Sequence, residues 1–526
     1  MDADLKKLVI PSPIFGNLFQ FRKYRWVGGL SHAWKSSFSF LPYSRINRYM
    51  PTKVNISIDP VARDFWKTKK NGTEKKYEVP SMGLEQSYTE AAKFWTPELE
   101  PDFDDPLLEL AAKVVKNMIH SKITLQSVSS HSDAIGRFDF GKSCGAFYQN
   151  AQTKGEALSI KGVEESLIEY FERLNTDNPY WAVYNNTQKL EIRKIGKPVR
   201  TFLVGDMRLH YSCLRLYGRI MDEFVAQAGK NGWWIGVGSS HLTSQWHQLH
   251  QRLSQGSLVF ASDVSGWDRN ISPSLLAAGC EILNSCLNNH DRAKYKKALN
   301  NATYMLVYGY VLFENGEMVR KNGGMPSGDF RTILVNSICN WIKNVRCFLL
   351  MMENPFELQM KEILQRMVAI QMSITGDDDI GSVDEKEAPW FDRKIFRSVA
   401  QVNATQLGMV LKVLDMEEKV EKLQYLSRGF VQRKGKWVAL PDRVKVINAL
   451  VYGNFKKHAK FSVLKALSLR MEVWGDEQLF KEITEYCDLL RKIYAQETEI
   501  DIEDGMPSWR DIWCSYLSED EIAVVS

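Results

Sequence analysis

The sequence predicts an α+β fold built round an antiparallel sheet, on three observations. Val368 to Thr375 alternates, with Val368, Ile370, Met372 and Ile374 against Ala369, Gln371, Ser373 and Thr375, the period of two of a half-buried strand. Gly376-Asp377-Asp378-Asp379 follows as a turn, so Ile380 to Val383 returns as the second arm of a hairpin. Thr332 to Leu350, and most of the chain from about residue 431 to Gln496, carry helical patterns instead.

The elements follow in order along 526 residues, a length that allows roughly three or four domains or lobes. Residues 1–115 are aromatic and punctuated by proline, as expected of a segment that wraps another body. From 116 to 256 the pattern is mixed, with helices near Val163 to Leu174 and Leu214 to Ala226. Ser257 to Asp263 reads as a buried strand ending in a carboxylate. Ser272-Pro273 then opens a helix through Leu287, with Ser as N-cap and Pro at the first helical position. The last stretch, Glu497 to Ser526, holds nine acids against one base, Arg510.

Composition narrows the function classes. Aromatics at 11%, including 15 Trp, exclude a largely disordered chain. No apolar run reaches the length of a membrane span, and Asp2 and Asp4 near the start argue against a secretory leader. The eight Cys form no C-x-x-C pair, which argues against a disulfide framework or zinc ribbon and for a reducing, cytosolic setting. Net charge is only +5, yet Lys189 to Arg219 packs eight basic residues against Glu191 and Asp206. A focused positive stretch on a balanced chain suggests a groove for a polyanion.

Three pieces carry chemistry together. Asp263 ends its strand, and Asp268 follows in D-V-S-G-W-D. Asp377 and Asp378 stand at the tip of the hairpin. Between them runs Gly323-Gly324-Met325-Pro326-Ser327-Gly328-Asp329-Phe330-Arg331-Thr332-Ile333-Leu334-Val335-Asn336, a glycine-rich loop entering a helix on which Thr332 and Asn336 share a face. If the two strands are neighbours in one sheet, Asp263 and Asp377 lie close together. Carboxylates that close repel and raise each other's pKa, so the cluster needs cations; hard oxygen ligands suit Mg²⁺ or Mn²⁺. Two such ions about 3.5–4 Å apart activate a hydroxyl and stabilise a leaving pyrophosphate. The implied chemistry is phosphoryl transfer.

The ordered set D-x4-D, S-G-x3-T-x3-N and G-D-D resembles motifs A, B and C of the RNA-dependent RNA polymerases of RNA viruses, nearest to picornavirus-like and partitivirus-like enzymes, over roughly residues 185–432. That resemblance implies a right-hand polymerase with fingers, an antiparallel-sheet palm and a helical thumb. Residues 1–115 would bridge fingers and thumb, 116–256 form the fingers, 257–287 the first part of the palm, and 288–320 an insertion of the fingers. Residues 321–432 would complete the palm, 433–496 form the thumb, and 497–526 an acidic tail. By the same resemblance Asp263 and Asp377 bind two Mg²⁺ ions (Mn²⁺ being an alternative), with Asp378 assisting. Asp268 and Asn336 would sense the ribose 2′-OH, helped by Ser327 and Thr332, with Gly328 in the same substrate loop. A site that hydrogen-bonds a hydroxyl strongly rejects the analogue lacking it, which favours ribonucleotides and argues against a reverse transcriptase.

Fainter likenesses extend the assignment. Lys189-Leu190-Glu191-Ile192-Arg193, with Lys197 and Arg200, resembles motif F, which covers the incoming triphosphate. Arg193 and Arg200 would contact the triphosphate, and Lys189 the template or primer strand. Leu407-Gly408 to Lys412 resembles motif D, whose lysine would protonate the leaving pyrophosphate; Lys394 and Lys419 are rivals for that role. Leu423 to Phe430 resembles motif E, a hairpin gripping the primer end through Arg428. Asp379, a third consecutive acid, departs from the pattern and is expected to turn into solvent. The partners implied are template and nascent RNA, ribonucleoside triphosphates, and other viral replication or capsid proteins. The implied setting is the host cytoplasm, in a replication complex or virion.

Rival readings explain less. Gly136 to Ser143 matches the P-loop pattern, but polar Ser129 to Asp133 precede it and two Phe occupy the phosphate cradle; for residues 127–143 the alternative is template-strand contact, as by motif G. His241, His247 and His250 lack a clear fourth zinc ligand. Gly324 sits one position too early for a nucleophile elbow at Ser327. A protein that only packages nucleic acid would account for residues 189–219 but not for the clustered acids.

Overall fold

A four-stranded antiparallel sheet positions the acids. Its strands are β1 (Leu258–Val264), β2 (Ile370–Thr375), β3 (Asp378–Val383) and β4 (Leu411–Glu417), in spatial order β2–β3–β1–β4. The structure is a computed structural model that describes residues 34–35, 57–69, 77–78, 83, 86–87, 90, 105–145, 148, 151–189, 191, 193–313, 317–453 and 459–494. In the hairpin Thr375 pairs with Asp378, leaving Gly376 and Asp377 as its tip; Gly376 takes a φ of 66°, which suits glycine. Asp379 pairs with Ser262 across β3 and β1, so one step further along both strands Asp378 stands beside Asp263.

The strand reading needs two adjustments. Val368 is not on the inner face: it caps the helix Met360–Met367 and is 72% exposed. Ser373, expected on the outer face, is buried, because its hydroxyl donates to the Tyr425 hydroxyl at 3.1 Å in a second packing layer.

That second layer exists because both faces of the sheet are covered. On one face lie α1 (Pro273–Ser285), α2 (Thr332–Met351), α3 (Arg393–Gln406) and the helix Pro106–His120. Ser272 Oγ accepts from the Leu275 N–H at 3.2 Å, with Pro273 in the first turn, so α1 starts as its sequence dictates. On the other face the helix Ser244–Leu253 and a hairpin, β5 (Arg428–Arg433) and β6 (Lys436–Pro441), bury Trp246, Leu253, Val259, Ile380, Tyr425 and Phe430 together. This hairpin replaces the helix expected from about residue 431. Lys434 and Gly435 take φ of 45° and 79°, a left-handed turn matched to strand twist, and so fold Lys436–Pro441 back as a strand.

Two further bodies flank the sheet. A five-stranded sheet runs in the order Trp34–Lys35, Glu317–Arg320, Tyr310–Leu312, Val183–Lys189, Arg200–Val204. The helices Arg443–Val451, Ala459–Glu472 and Glu477–Tyr494 share a separate core with Pro60–Thr68, whose Trp66 is buried with Leu467 and Tyr486. Most of residues 1–104 and the acidic stretch 497–526 lie outside the described residues. Among the described residues, seven cysteines are buried and free of disulfides, and no helix is long and apolar enough to cross a membrane. Residues 136–143 form no strand–loop–helix: Gly136 ends the short helix His131–Gly136, and turns follow.

Candidate active site

The acids meet where β1 ends beside the turn between β2 and β3. Asp378 is pushed up to about 6, first by desolvation and then by the charges of Asp377, Asp379 and Asp263. Asp377 is also raised, by desolvation and then by Asp268, with Asp263 adding to it and Arg200 pulling the other way. Asp263, Asp377 and Asp378 are exposed and Asp268 is half-buried, yet Asp377 feels the charges of Asp268 and Asp263, and Asp378 those of Asp377 and Asp263, as an acid cluster at one end of the sheet.

That donor chemistry fits a hard divalent cation, since uncompensated carboxylates bind one readily. Their side chains are not drawn round a common point, however. Among the described residues no three His, Cys, Asp or Glu side chains converge as an ion-holding group, and Asp263 leans instead on Lys412 Nζ at 2.5 Å. Both side chains of that pair are more than half exposed, at 52% and 62%, so the contact is weak and readily exchanged. Of Lys394, Lys412 and Lys419, Lys412 is the one ion-paired with an acid of the cluster.

Asp268 is held from two sides. Ser327 Oγ donates to Oδ2, and Asn336 Nδ2 donates to Oδ1 at 2.9 Å. Asn336 is buried, and its Oδ1 has no donor; a buried acceptor left so costs about 1–3 kcal/mol and suits an incoming hydroxyl. Thr332 does not join this pair through its hydroxyl, which donates to the backbone oxygens of Pro326 and Asp329 at 2.9 and 2.8 Å and so ties the loop to the start of α2. Gly328 seats that loop against the neighbouring sheet. Its N–H donates to Leu203 O at 2.9 Å, and a Cβ there would lie 2.5 Å from the same oxygen.

Several residues that hold the site were not singled out from the sequence. Asn340 Nδ2 donates to the backbone oxygens of Gly376 and Asp377 at 3.2 and 3.0 Å, and Ser337 Oγ accepts from the Gly376 N–H at 2.8 Å. Lys343 Nζ meets Asp379 Oδ2 at 2.8 Å, where Asn344 Nδ2 also donates at 3.1 Å. Asp379 is thus 2% exposed rather than turned into solvent: strand alternation sends it to the face opposite Asp378, under α2, where Lys343 neutralises it and Ser262 Oγ donates to it. The signal was a polar stripe, Asn336, Ser337, Asn340, Lys343 and Asn344, at helical spacing in an otherwise apolar helix. Lys321 is a further buried support. Its ammonium donates to the backbone oxygens of Val307, Gly323 and Gly324 at 3.1, 2.9 and 2.7 Å, and burial lowers it to about 7.

The basic stretch divides. Arg200, exposed at the start of its strand, is the member whose charge reaches Asp377. Arg193 donates to Pro198 O at 3.0 Å, Lys189 pairs with Glu191 at 2.9 Å, and Lys197 is exposed. Arg428 does not join the acid cluster: its guanidinium pairs with Glu472 of the helix Ala459–Glu472, which His241 also meets at 2.8 Å. The other two histidines lie at the hairpin, His250 stacked on Trp437 at 3.9 Å and His247 Nδ1 accepting from the Trp437 N–H at 3.1 Å.

Comparison with known proteins defines the class. Residues 69–494 match the family described as viral RNA-dependent RNA polymerase. The chain belongs to that family, the RNA-directed RNA polymerases of viruses. It is similar to the genome polyprotein of zucchini yellow mosaic virus (strain Reunion Island), 22% identical over 78% of this chain and 13% of the polyprotein. It is also similar to the RNA1 polyproteins of Cycas necrotic stunt virus, 20% identical over 88% of this chain and 20% of the relative, and of cowpea mosaic virus (strain SB), 26% identical over 51% and 14%. The chain spans a fifth or less of the length of these relatives.

Proposed function

We propose that the chain copies viral RNA by adding ribonucleoside monophosphates to an RNA 3′-OH, replicating and transcribing an RNA genome inside the host cell. The observation that carries this reading is the pairing of Asp379 with Ser262, which sets Asp378 beside Asp263 at the end of one sheet. In the proposed layout the central sheet is the palm, residues 116–256 and 288–320 are fingers, and 433–496 are the thumb. Residues 34–35 and 57–69, which join two different bodies, support a bridging role for residues 1–115.

Asp263, Asp377 and Asp378 would hold two Mg²⁺ ions, with Mn²⁺ as a substitute, and those ions when bound supply charge neutralisation and a more acidic 3′-hydroxyl. Arg193, Lys197 and Arg200 grip the triphosphate, Lys189 and Arg428 the template or primer strand. The ribose 2′-OH donates to Asn336 Oδ1, whose orientation Asp268 and Ser327 fix. The 3′-hydroxyl gives its proton to solvent as its oxygen bonds to the α-phosphorus, and the bond from that phosphorus to the oxygen bridging to the β-phosphate breaks. Lys412, released from Asp263, gives its proton to the departing pyrophosphate. Nucleic acid is held through its backbone, so binding weakens with salt and is largely independent of sequence. Asp377→Ala is expected to abolish incorporation of labelled nucleotide on a single-stranded RNA template while circular dichroism stays native. Undiminished synthesis by that variant would refute the assignment.

A further inference from the structure

We propose that a cleft at the end of the central sheet opposite the acid turn docks a Lys/Arg-rich peptide segment of a partner protein. The cleft has a volume of about 1170 Å³ and opens where β2 begins and β3 ends. Its walls carry Glu353, Glu357, Glu362, Asp384 and Glu387 against a single base, Arg366. Such a field repels phosphate and draws cations, so RNA is excluded as occupant.

A second observation is independent of the charge. Ser382 lines the cleft at 1% exposure, and its Oγ has no hydrogen-bond partner. The Trp390 Nε1–H, from a second lining residue, is likewise buried without an acceptor. Indole N–H is a donor only, so Trp390 calls for an acceptor, and a serine hydroxyl accommodates one as well. A peptide answers both demands at once: its backbone carbonyls accept from Trp390 and Ser382 while lysine or arginine side chains reach the acidic walls. Exposed Val368 on the rim offers apolar surface to the stems of those side chains. A lone metal ion would satisfy the acids but could not accept from the indole.

The test is fluorescence anisotropy on the full chain, with a labelled peptide of alternating Lys and Val and a second of alternating Glu and Val. The Lys peptide is expected to bind and the Glu peptide not. Glu353→Lys/Glu357→Lys should weaken the Lys peptide about tenfold or more. Ser382→Ala and Trp390→Phe, which leave the charge untouched, should each weaken it several-fold. RNA synthesis by the charge variant should match the parent chain, because neither glutamate lies near the acid turn. Affinity indifferent to the glutamate changes overturns the proposal. So does an affinity that follows charge alone while both neutral variants bind like the parent, since that is diffuse attraction rather than a seat. Thermal melting identifies any variant that fails to fold; if Trp390→Phe does, Ser382→Ala alone decides.

Discussion

Two neighbouring acids at the start of β3 have opposite fates because successive strand residues face opposite ways. Asp378 stays exposed among the other acids with its proton affinity raised, whereas Asp379 is sealed under α2 by Lys343. Lys343→Met would leave Asp379 charged, buried and without its cation, an expected loss of about 3–5 kcal/mol in denaturant unfolding. Adding Asp379→Asn should recover much of that loss, since both charges then disappear. On the proposed reading, in which Asn336 Oδ1 accepts from the 2′-hydroxyl, Asn336→Ala should lower the ratio of kcat/KM for ribo- over deoxyribonucleotides about tenfold or more. That Asp263 and the Gly376–Asp379 turn meet was legible, because the strand and hairpin patterns suffice to suggest it. Asp379 was not, because three identical letters do not say which face each occupies; only the register against Ser262 decides that.

At the scale of elements, α2 is a splint that carries both Asn336 and the clamp on the acid turn. Asn340→Ala breaks two contacts to the turn's carbonyls, each worth about 1 kcal/mol. It should lower kcat and divalent-cation affinity together while KM for nucleotide changes little; calorimetric titration with Mn²⁺ separates that from a general loss of stability. The hairpin β5–β6 is fastened to its neighbouring helix through Glu472, which the hydrogen bond from His241 first, and then Arg428, hold down at about 2 against an ordinary 4.5. A depressed carboxylate stabilises the fold above its unfolded pKa, and that contribution fades as pH falls from about 4.5 toward 2. Acid unfolding of Glu472→Gln should lack this component. Helix starts were readable from their caps, as at Ser272-Pro273. The β5–β6 hairpin was not, because its turn rests on Lys434, a residue with no preference for left-handed backbone.

For the whole molecule, the repulsion among the acids at the turn opposes the fold, and on the proposed function a divalent cation relieves it. Asp378 is raised from 3.8 to about 6, so its protonated form favours the native state, and stability drains as pH climbs between those values. Metal-free protein is therefore expected to show a Tm falling through that window, with Mg²⁺ restoring it at neutral pH and Asp378→Asn flattening the dependence. The α+β class and central hairpin could be read from periodicity; the covering of both sheet faces could not, because it depends on segments distant in the chain. The seven buried cysteines have one more consequence. Burial lifts every one of their thiols above the usual range, so few thiolates face water. Alkylating reagents should leave these sulfurs unmarked until the polypeptide opens, which makes mass-resolved iodoacetamide labelling an inbuilt clock for its breathing.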